Sequence, residues 1–422
     1  MENKNSGMRI RLIIMNFLQF AVWGAYLTSM GGYLASVGIG AHIGWFYSVQ
    51  GFVAIFMPAI MGIVADRWVP AQKLYSFCHA VAAAGMAMCA LQAEMGNVSF
   101  ASLFPWYTLS VAFYMPTLAL SYSVSYNAIE KAKMDVVKDF PPIRIFGTIG
   151  FIVSMLLVDL LEMQHTHHQF WVSVVWGCVL VVYALTLPDC PTRKDVKSVS
   201  LVQALGLDAF KLFADKQMAI FFIFSMLLGV NLQITNGYAN PFITSFAADS
   251  AYQGVFFVGH ANLLISLSQC SETLCILLIP FCLKRMGIKR VMLIAMLAWV
   301  LRFAFFAVGT PAFPGVIMFI LSMIVYGVAF DFFNISGSLF VDQSTDSSIR
   351  SSAQGLFMLM TNGLGASLGM LAAQVVVNSY TVNEGGYTVG DWTTVWYIFA
   401  AYALVIGVLF ALLFKYKHNP QK

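Results

Sequence analysis

Two carboxylic acids lie inside long apolar runs, where a charged group is expensive to bury. Glu272 occurs in LISLSQCSETLCILLIP, twelve residues before Lys284, and Asp331 occurs in VYGVAFDFFNISGSLF, eleven residues before Asp342. At the rise of a helix these separations put the acids ~18 Å and ~16 Å from the charged end of each run. A charge at the centre of a bilayer costs about 2.5–3.5 kcal/mol on insertion scales, so such acids usually serve ion or proton pathways. The pair predicts a functional polar site near the middle of a membrane.

Each acid has an amide on the same helix face. Gln269 precedes Glu272 by three residues, and Asn334 follows Asp331 by three. Side chains three residues apart are neighbours on a helix surface. These amides would form hydrogen bonds either with a polar solute or with adjacent helices.

A third polar set lies in the run LGVNLQITNGYANP. It contains Gln233 and Asn236, and we expect its helix to break near Gly237 and Pro241. A broken helix at membrane depth is tolerated only beside protein or a water-filled cavity. Because three runs present amides or acids at similar depth, we predict one polar site shared by them.

Aromatic and basic residues extend this candidate site. After DFPPIR, the residues Arg144, Thr148 and Phe151 recur at the spacing of one helix face, although Arg144 would also serve as an interfacial anchor. Tyr326 and Phe330 precede Asp331 and offer a second aromatic platform. An arginine, a hydroxyl and flat rings suit a polar solute that contains a ring.

The elements that carry these residues are predicted to be twelve transmembrane helices. The chain has 422 residues, of which 59% are hydrophobic and 10% charged, against roughly 25% charged in a soluble domain. Apolar runs of 20 or more residues are long enough to cross a bilayer of ~30 Å. In the eleventh span, Gly365 and Gly369 have the spacing of small residues that predicts close helix contact. The predicted spans are 10–34, 43–65, 74–94, 99–128, 143–163, 167–188, 218–247, 258–283, 289–309, 313–340, 350–379 and 392–416.

The basic residues fix the predicted topology. Of the 23 Lys and Arg residues, all but Arg302 can be placed on one side of the membrane. By the positive-inside rule that side is the cytosol, which places both termini there. We expect Arg302, in the outer half of the ninth span, to need a partner inside the protein. Asp159 and Glu162, toward the outer end of the fifth span, are expected to face solvent.

The long polar stretch in the middle divides the chain. We predict an N-terminal six-helix bundle over residues 1–188, a cytosolic linker over 189–217 and a C-terminal six-helix bundle over 218–422. The predicted fold class is an all-α integral membrane protein with two pseudo-symmetric bundles, and the expected state is a monomer in the lipid bilayer.

Other classes of function have less support. The net charge of +4 is concentrated in short loops, so it predicts contact with an anionic membrane surface and no nucleic-acid partner. The seven cysteines never form a Cys-x-x-Cys pair, and we interpret them as buried apolar residues. The cluster His165, His167 and His168 is interpreted as a polar external loop. We therefore expect no metal site and no cofactor.

A weak internal repeat resembles the loop signature of the major facilitator superfamily. The second span is followed by GIVADRWVPAQK and the eighth by PFCLKRMGIKR, at corresponding places in the two halves. The first copy departs from the signature at Trp68-Val69-Pro70. The alternative interpretation is that both basic loops only obey the positive-inside rule.

Longer segments resemble the bacterial nucleoside:proton symporters of that superfamily. They include FPPIRIFGTIGF, LQITN, SQCSETL, LSMIVYGVAFDFFNISGS and MTNG. The resemblance implies proton-driven uptake of nucleosides such as uridine or adenosine across the cytoplasmic membrane by alternating access. It implies a substrate site made of Arg144, Thr148, Phe151, Gln233, Asn236, Gln269, Glu272, Tyr326, Phe330 and Asp331, with Asp331 and then Glu272 as candidates for proton coupling.

Three alternatives remain open from the residues alone. A sugar or oligosaccharide:proton symporter would use the same scaffold, because sugars also stack on aromatic rings. A polytopic membrane enzyme is disfavoured by the lack of a catalytic pair or metal-ligand set within the spans. A channel is disfavoured by two equivalent halves with one central site.

Overall fold

A computed structural model describes residues 2–192, 207–346 and 349–416 of the chain. Long helices dominate these ranges, as the apolar runs predict. The α-helices are α1 Glu2–Gly24, α2 Met30–Ser36, α3 Ile43–Arg67, α4 Ala71–Glu94, α5 Phe100–Lys131, α6 Val136–Leu160, α7 His168–Leu185, α8 Lys216–Ser245, α9 Phe256–Gly259, α10 Ala261–Met286, α11 Ile288–Val308, α12 Val316–Ser344, α13 Arg350–Met358, α14 Ala366–Tyr380 and α15 Trp392–Leu413. A π-helical segment, Leu359–Gly365, joins α13 to α14.

Eleven helical segments within the described ranges are long and apolar enough to cross a membrane. They correspond to the second to the twelfth predicted spans. The first predicted span is instead divided into α1 and α2, with turns between Gly24 and Met30. Gly24 lies so close to α6 that an added Cβ would be 2.3 Å from the Phe151 carbonyl oxygen, so this is a point where only glycine fits the packing.

The expectation of a break in the seventh predicted span is wrong. α8 runs without interruption from Lys216 to Ser245, although it contains Pro241. Proline removes one backbone hydrogen bond, and neighbouring groups can hold the helix together at such a point. Here Gly237 packs closely on Met370 and Tyr47, where an added Cβ would be 2.3 Å from the Met370 methyl.

A short β-hairpin interrupts the expected all-α pattern. Strands β1 Thr381–Glu384 and β2 Tyr387–Gly390 pair antiparallel, with Val382 opposite Val389. Gly385 and Gly386, which join them, both have positive φ angles of 59° and 84°. Two such glycines between alternating residues are a sequence signal for a hairpin turn, and that signal is present in NEGGYTV.

The chain folds into two compact units. The first unit comprises Met1–Tyr33 and Phe52–Ala204, and the second comprises Leu34–Gly51 and Leu205–Lys422. The predicted domain limits at 188 and 218 remain predictions, and the predicted linker falls partly on residues 193–206, which lie outside the described ranges.

The core of the first unit is mainly aliphatic. Leu12, Leu74, Val124, Ile143 and Leu180 meet there, one each from α1, α4, α5, α6 and α7. Burial of these side chains against one another positions α6 beside α1.

The core of the second unit is strongly aromatic. The Trp396 ring centroid lies 4.7 Å from that of Phe306 and 5.3 Å from that of Phe242. These rings join α15, α11 and α8, and similar contacts join α12 to the group through Phe319. Aromatic packing of this kind holds α12, which carries Asp331, against its neighbours.

Candidate functional site

The two acids of the second unit are brought together by close packing of α10 against α12. Gly327 faces α10 so closely that an added Cβ would lie 2.5 Å from the Ser271 carbonyl oxygen and 2.8 Å from the Glu272 nitrogen. The Ser271 hydroxyl also donates to the Ile324 carbonyl. This contact sets Glu272 within electrostatic reach of Asp331. The depths predicted from the sequence therefore located two side chains that do interact.

Asp331 is the more deeply buried of the two acids. It is 6% exposed, whereas Glu272 is half-buried. The Asp331 Oδ2 atom is buried and has no hydrogen-bond partner among the described residues. A buried ionised carboxylate without donors is costly, and binding a proton removes that cost.

Tyr326 links the acids to an amide. The Gln269 side chain and the Glu272 carboxyl group both lie close enough to act on its hydroxyl group. The Tyr326 and Phe330 rings lie 5.9 Å apart and nearly parallel, at 6°. Gln269, Glu272, Tyr326, Phe330 and Asp331 therefore form one cluster on α10 and α12.

The other amides make contacts within a helix or between helices. On α8, the Asn236 amide donates to the Gln233 Oε1 atom at 3.3 Å. Asn240 on the same helix donates to Asn262 of α10 at 3.0 Å, which is an interhelical contact. The Asn334 amide donates to the Phe330 carbonyl of its own helix at 3.1 Å. Asn334 thus makes this contact within α12.

A small pocket opens beside the Phe330 ring. Its lining includes Leu232 of α8, Trp299 of α11 and Asn334 of α12, together with Thr361 of the π-helical segment. The pocket provides space next to the aromatic platform in the second unit.

The predicted stripe of the first unit lies on α6 against α1. Arg144 donates from Nε to the Tyr122 hydroxyl at 3.1 Å, and its guanidinium carbon lies 3.9 Å from the centroid of the Phe20 ring. Phe151 is buried, with its ring 6.3 Å from that of Trp23. Thr148, which lies between Arg144 and Phe151 in the sequence, is half-buried. Arg144 is thus held by specific side chains of α1 and α5.

Sequence reasoning missed a buried polar network next to this stripe. Gln19 of α1 donates to Thr117 at 2.9 Å and accepts from Tyr75 at 2.6 Å, while the His79 Nε2 atom lies 2.8 Å from the same Gln19 oxygen. Tyr114 donates to the Gln19 backbone carbonyl at 2.8 Å. The sequence signals that could have predicted this network were Gln19 and His79, which are polar residues within apolar runs.

Arg302 is confirmed as a buried cation that finds partners inside the protein. Its Nη1 atom donates to the Ser322 carbonyl at 2.6 Å, and its guanidinium carbon lies 4.7 Å from the Tyr326 ring centroid. Asp159 was expected to face solvent, and that expectation is wrong, because its side chain is fully buried. Glu162 is exposed, as predicted.

The loop with His165, His167 and His168, which is predicted to be external, carries ordinary packing contacts. The His167 and His168 rings stack at 4.4 Å, and His167 lies 3.8 Å from Glu94. Burial lowers the pKa of His165. Within the described residues no group of three or more His, Cys, Asp or Glu side chains is placed to hold a metal ion.

Comparison with known proteins identifies the family. The family model described as nucleoside H+ symporter matches residues 6–419. The chain belongs to the nucleoside H+ symporter family. As a member of this family of transporters the protein is not an enzyme, and the resemblance predicted from the sequence segments is confirmed.

Two relatives match this nucleoside H+ symporter over nearly their whole length, and a third matches it over about two thirds of its length. The nucleoside permease NupG of Escherichia coli strain K12 is 48% identical over 413 residues, which cover 97% of both chains. The xanthosine permease of the same strain is 48% identical over 416 residues, covering 98% of this chain and 97% of the relative. The sucrose permease of Escherichia coli is 23% identical over 293 residues, which cover 66% of this chain and 65% of the relative.

Solved structures extend the comparison to the backbone. A crystal structure of nucleoside transporter NupG, in an aspartate-to-alanine mutant form, matches with a TM-score of 0.91 at 47% identity, covering 97% of this chain and all of that one. A crystal structure of NupG itself gives 0.89 at 48% identity, with coverage of 97% and 100%. A peptide transporter of the POT family, at 15% identity and a TM-score of 0.69 over 97% of this chain and 93% of that one, shares the fold alone.

Proposed function

We propose that this symporter carries nucleosides, such as uridine and adenosine, inward across the bacterial cytoplasmic membrane together with protons, by alternating access. The observation that carries the proposal is the cluster on α10 and α12, where Gln269 and Tyr326 adjoin two interacting acids. Relatives at 48% identity are permeases for nucleosides and xanthosine, which supports a nucleoside substrate over a sugar.

The polar and aromatic residues have separate proposed roles. Gln233, Asn236, Gln269 and Glu272 form hydrogen bonds to ribose hydroxyls and base edges, where a missing partner would leave buried polar groups unpaired. Tyr326 and Phe330 pack on the base. The family resemblance adds Phe151 as a further aromatic contact, with Arg144 and Thr148 supplying polar contacts.

Asp331 is the proposed coupling site, with Glu272 as its partner. The support is the burial of Asp331, its unpaired Oδ2 atom and the nearby charge of Glu272. Two neighbouring carboxyl groups repel when both are ionised. Substrate binding between them can therefore change how strongly the pair holds a proton, which is reciprocal coupling of two ligands.

We also propose twelve spans, with α1 and α2 together forming the first. Both termini then lie in the cytosol by the positive-inside rule. The transporter acts as a monomer with lipid around it and needs no cofactor beyond the proton gradient.

Transport in proteoliposomes tests the substrate and the coupling. Purified protein should exchange radiolabelled uridine by counterflow, and unlabelled adenosine should compete while glucose and lactose should not. An imposed pH gradient, acidic outside, should drive accumulation, and a protonophore should abolish it. Absence of uridine exchange, or competition by either sugar, would contradict the proposed substrate class, and accumulation that ignores the gradient would contradict the coupling.

A further inference from the structure

Arg302 joins three helices of the second unit from a fully buried position. It is 2% exposed on α11. Its Nη1 atom donates to the Ser322 carbonyl of α12 at 2.6 Å and lies 3.4 Å from the Ser268 hydroxyl of α10. The Ser322 hydroxyl donates back to the Arg302 carbonyl at 2.9 Å. The guanidinium is therefore fixed relative to both helices that carry the acids.

The same guanidinium lies against the aromatic platform. Its carbon is 4.7 Å from the Tyr326 ring centroid and 5.3 Å from that of Phe306. The Tyr326 ring is further held by the edge of Trp299, at 6.1 Å and 89°, and by Phe330, at 5.9 Å. A cation on a ring face is attracted strongly when both are removed from water.

Stability alone does not explain an arginine at this place. Among the described residues, the guanidinium contacts are with neutral groups, and its buried Nε atom has no hydrogen-bond partner. An apolar side chain of similar volume often replaces a buried charge without loss of stability. Of the contacts that such a replacement would lose, the one with Tyr326 reaches the predicted site.

We propose that Arg302 is a positioning residue for nucleoside recognition. It holds the Tyr326 ring at a fixed angle, and through that ring it sets Phe330 and the Gln269 amide for the substrate. This inference rests on the proposed function, because it assumes that Tyr326 and Phe330 pack on the base.

A double-mutant cycle on purified full-length protein tests the inference by calorimetric titration with uridine. Arg302→Met should weaken binding about tenfold, which corresponds to about 1.4 kcal/mol. Arg302→Lys should weaken it less, since lysine keeps the charge but lacks the planar group. In a Tyr326→Leu background, Arg302→Met should cause almost no further loss, because the two residues act through one contact.

The control is Ser322→Ala, which removes the hydroxyl bond between α11 and α12 but leaves the carbonyl that accepts from Arg302. It should lower the thermal unfolding temperature slightly and leave uridine affinity unchanged. A merely structural Arg302 would instead shift the unfolding temperature in proportion to any loss of affinity. If Arg302→Met does not fold, Arg302→Lys replaces it in the cycle. Its loss of uridine affinity should then be present with Tyr326 and nearly absent in the Tyr326→Leu background.

The outcomes separate the two proposals. If Tyr326→Leu leaves uridine affinity intact, the proposed role of the aromatic platform fails. If Tyr326→Leu weakens binding while Arg302→Met does not, or if the two losses add independently, only the positioning role of Arg302 is overturned.

Discussion

At the residue scale, the proposed chemistry of this symporter centres on Asp331. Its position was predictable, because an acid within an apolar run stands out and helical rise gives its depth. The unpaired Oδ2 atom and the interaction with Glu272 were not, because they depend on how α10 packs on α12. Likewise, Arg144 contacts Phe20 and Tyr122, which lie on other helices. Nothing in the sequence near Arg144 indicates these two partners.

Neutralising Asp331 should separate exchange from accumulation. With an imposed gradient of about one pH unit, one coupled proton supports about tenfold accumulation of uridine in vesicles. Asp331→Asn removes the titratable carboxyl group, so it should bring that ratio to about one while counterflow exchange continues. Asp342→Asn is the matched control, since Asp342 is on the same helix but half exposed in an ion pair with Arg350 at 3.1 Å. Full accumulation by Asp331→Asn would remove it as the coupling site.

Gln19 should matter for stability through the network it completes. Gln19→Ala leaves the buried Tyr75, His79 and Thr117 side chains without their shared partner. Unpaired buried polar groups cost about 1–3 kcal/mol, so the unfolding temperature in detergent should fall by several degrees.

The control for Gln19→Ala is Gln92→Ala, which loses one exposed hydrogen bond to Asn97. Exposed substitutions usually change stability by less than about 0.5 kcal/mol, so this variant should unfold with the wild type. Equal unfolding temperatures for the two variants would show that the network adds no stability.

At the scale of elements, hydropathy predicted where the helices lie, but the sequence did not predict where a helix is interrupted and where it is continuous. Eleven spans agree with prediction. A run of about twenty apolar residues has the length of a helix that crosses the bilayer, so few other structures fit it. The split between α1 and α2 and the continuity of α8 through Pro241 depend on neighbours such as Phe151 and Met370, which lie far away in sequence. The predicted close contact at Gly365 and Gly369 is confirmed, since an added Cβ at either would collide with α8.

Substitution of these glycines should reveal which contact can yield. An added Cβ at Gly365 would lie 2.1 Å from the Met226 backbone oxygen, whereas at Gly369 it would lie 2.3 Å from a methyl of the Val230 side chain. Gly365→Ala should therefore cost more than Gly369→Ala, within the roughly 1–3 kcal/mol range of overpacking. Thermal unfolding in detergent measures the order.

Gly355 provides the matched control for this series. It is exposed on α13 and an added Cβ would meet nothing within 4 Å. Gly355→Ala should be neutral or stabilise the helix by about 0.5–1 kcal/mol. A larger loss at Gly355 than at Gly365 would mean that close α8 contact does not limit this segment.

At the scale of the whole molecule, charged side chains form ion pairs and hydrogen bonds near helix ends in both units. In the first unit, Arg9 pairs with Asp139, and Lys131 donates to the Asp189 carbonyl. In the second, Arg350 pairs with Asp342. These contacts lie at the helix ends that the positive-inside rule assigns to the cytosol. The two-stranded hairpin lies in the connection between the last two predicted spans, so the same rule assigns it to the outside.

An epitope inserted between Gly385 and Gly386 tests this assignment. Gly385 is exposed with no atom within 4 Å of an added Cβ, so a polar insertion there should be tolerated as at other exposed loop tips. The tag should bind antibody on intact spheroplasts, whereas a tag at the C-terminus should need permeabilised cells. Uridine uptake by both tagged proteins is the control for folding. Detection of the hairpin tag only after permeabilisation would invert the topology, and with it the direction in which Asp331 must exchange protons during uptake.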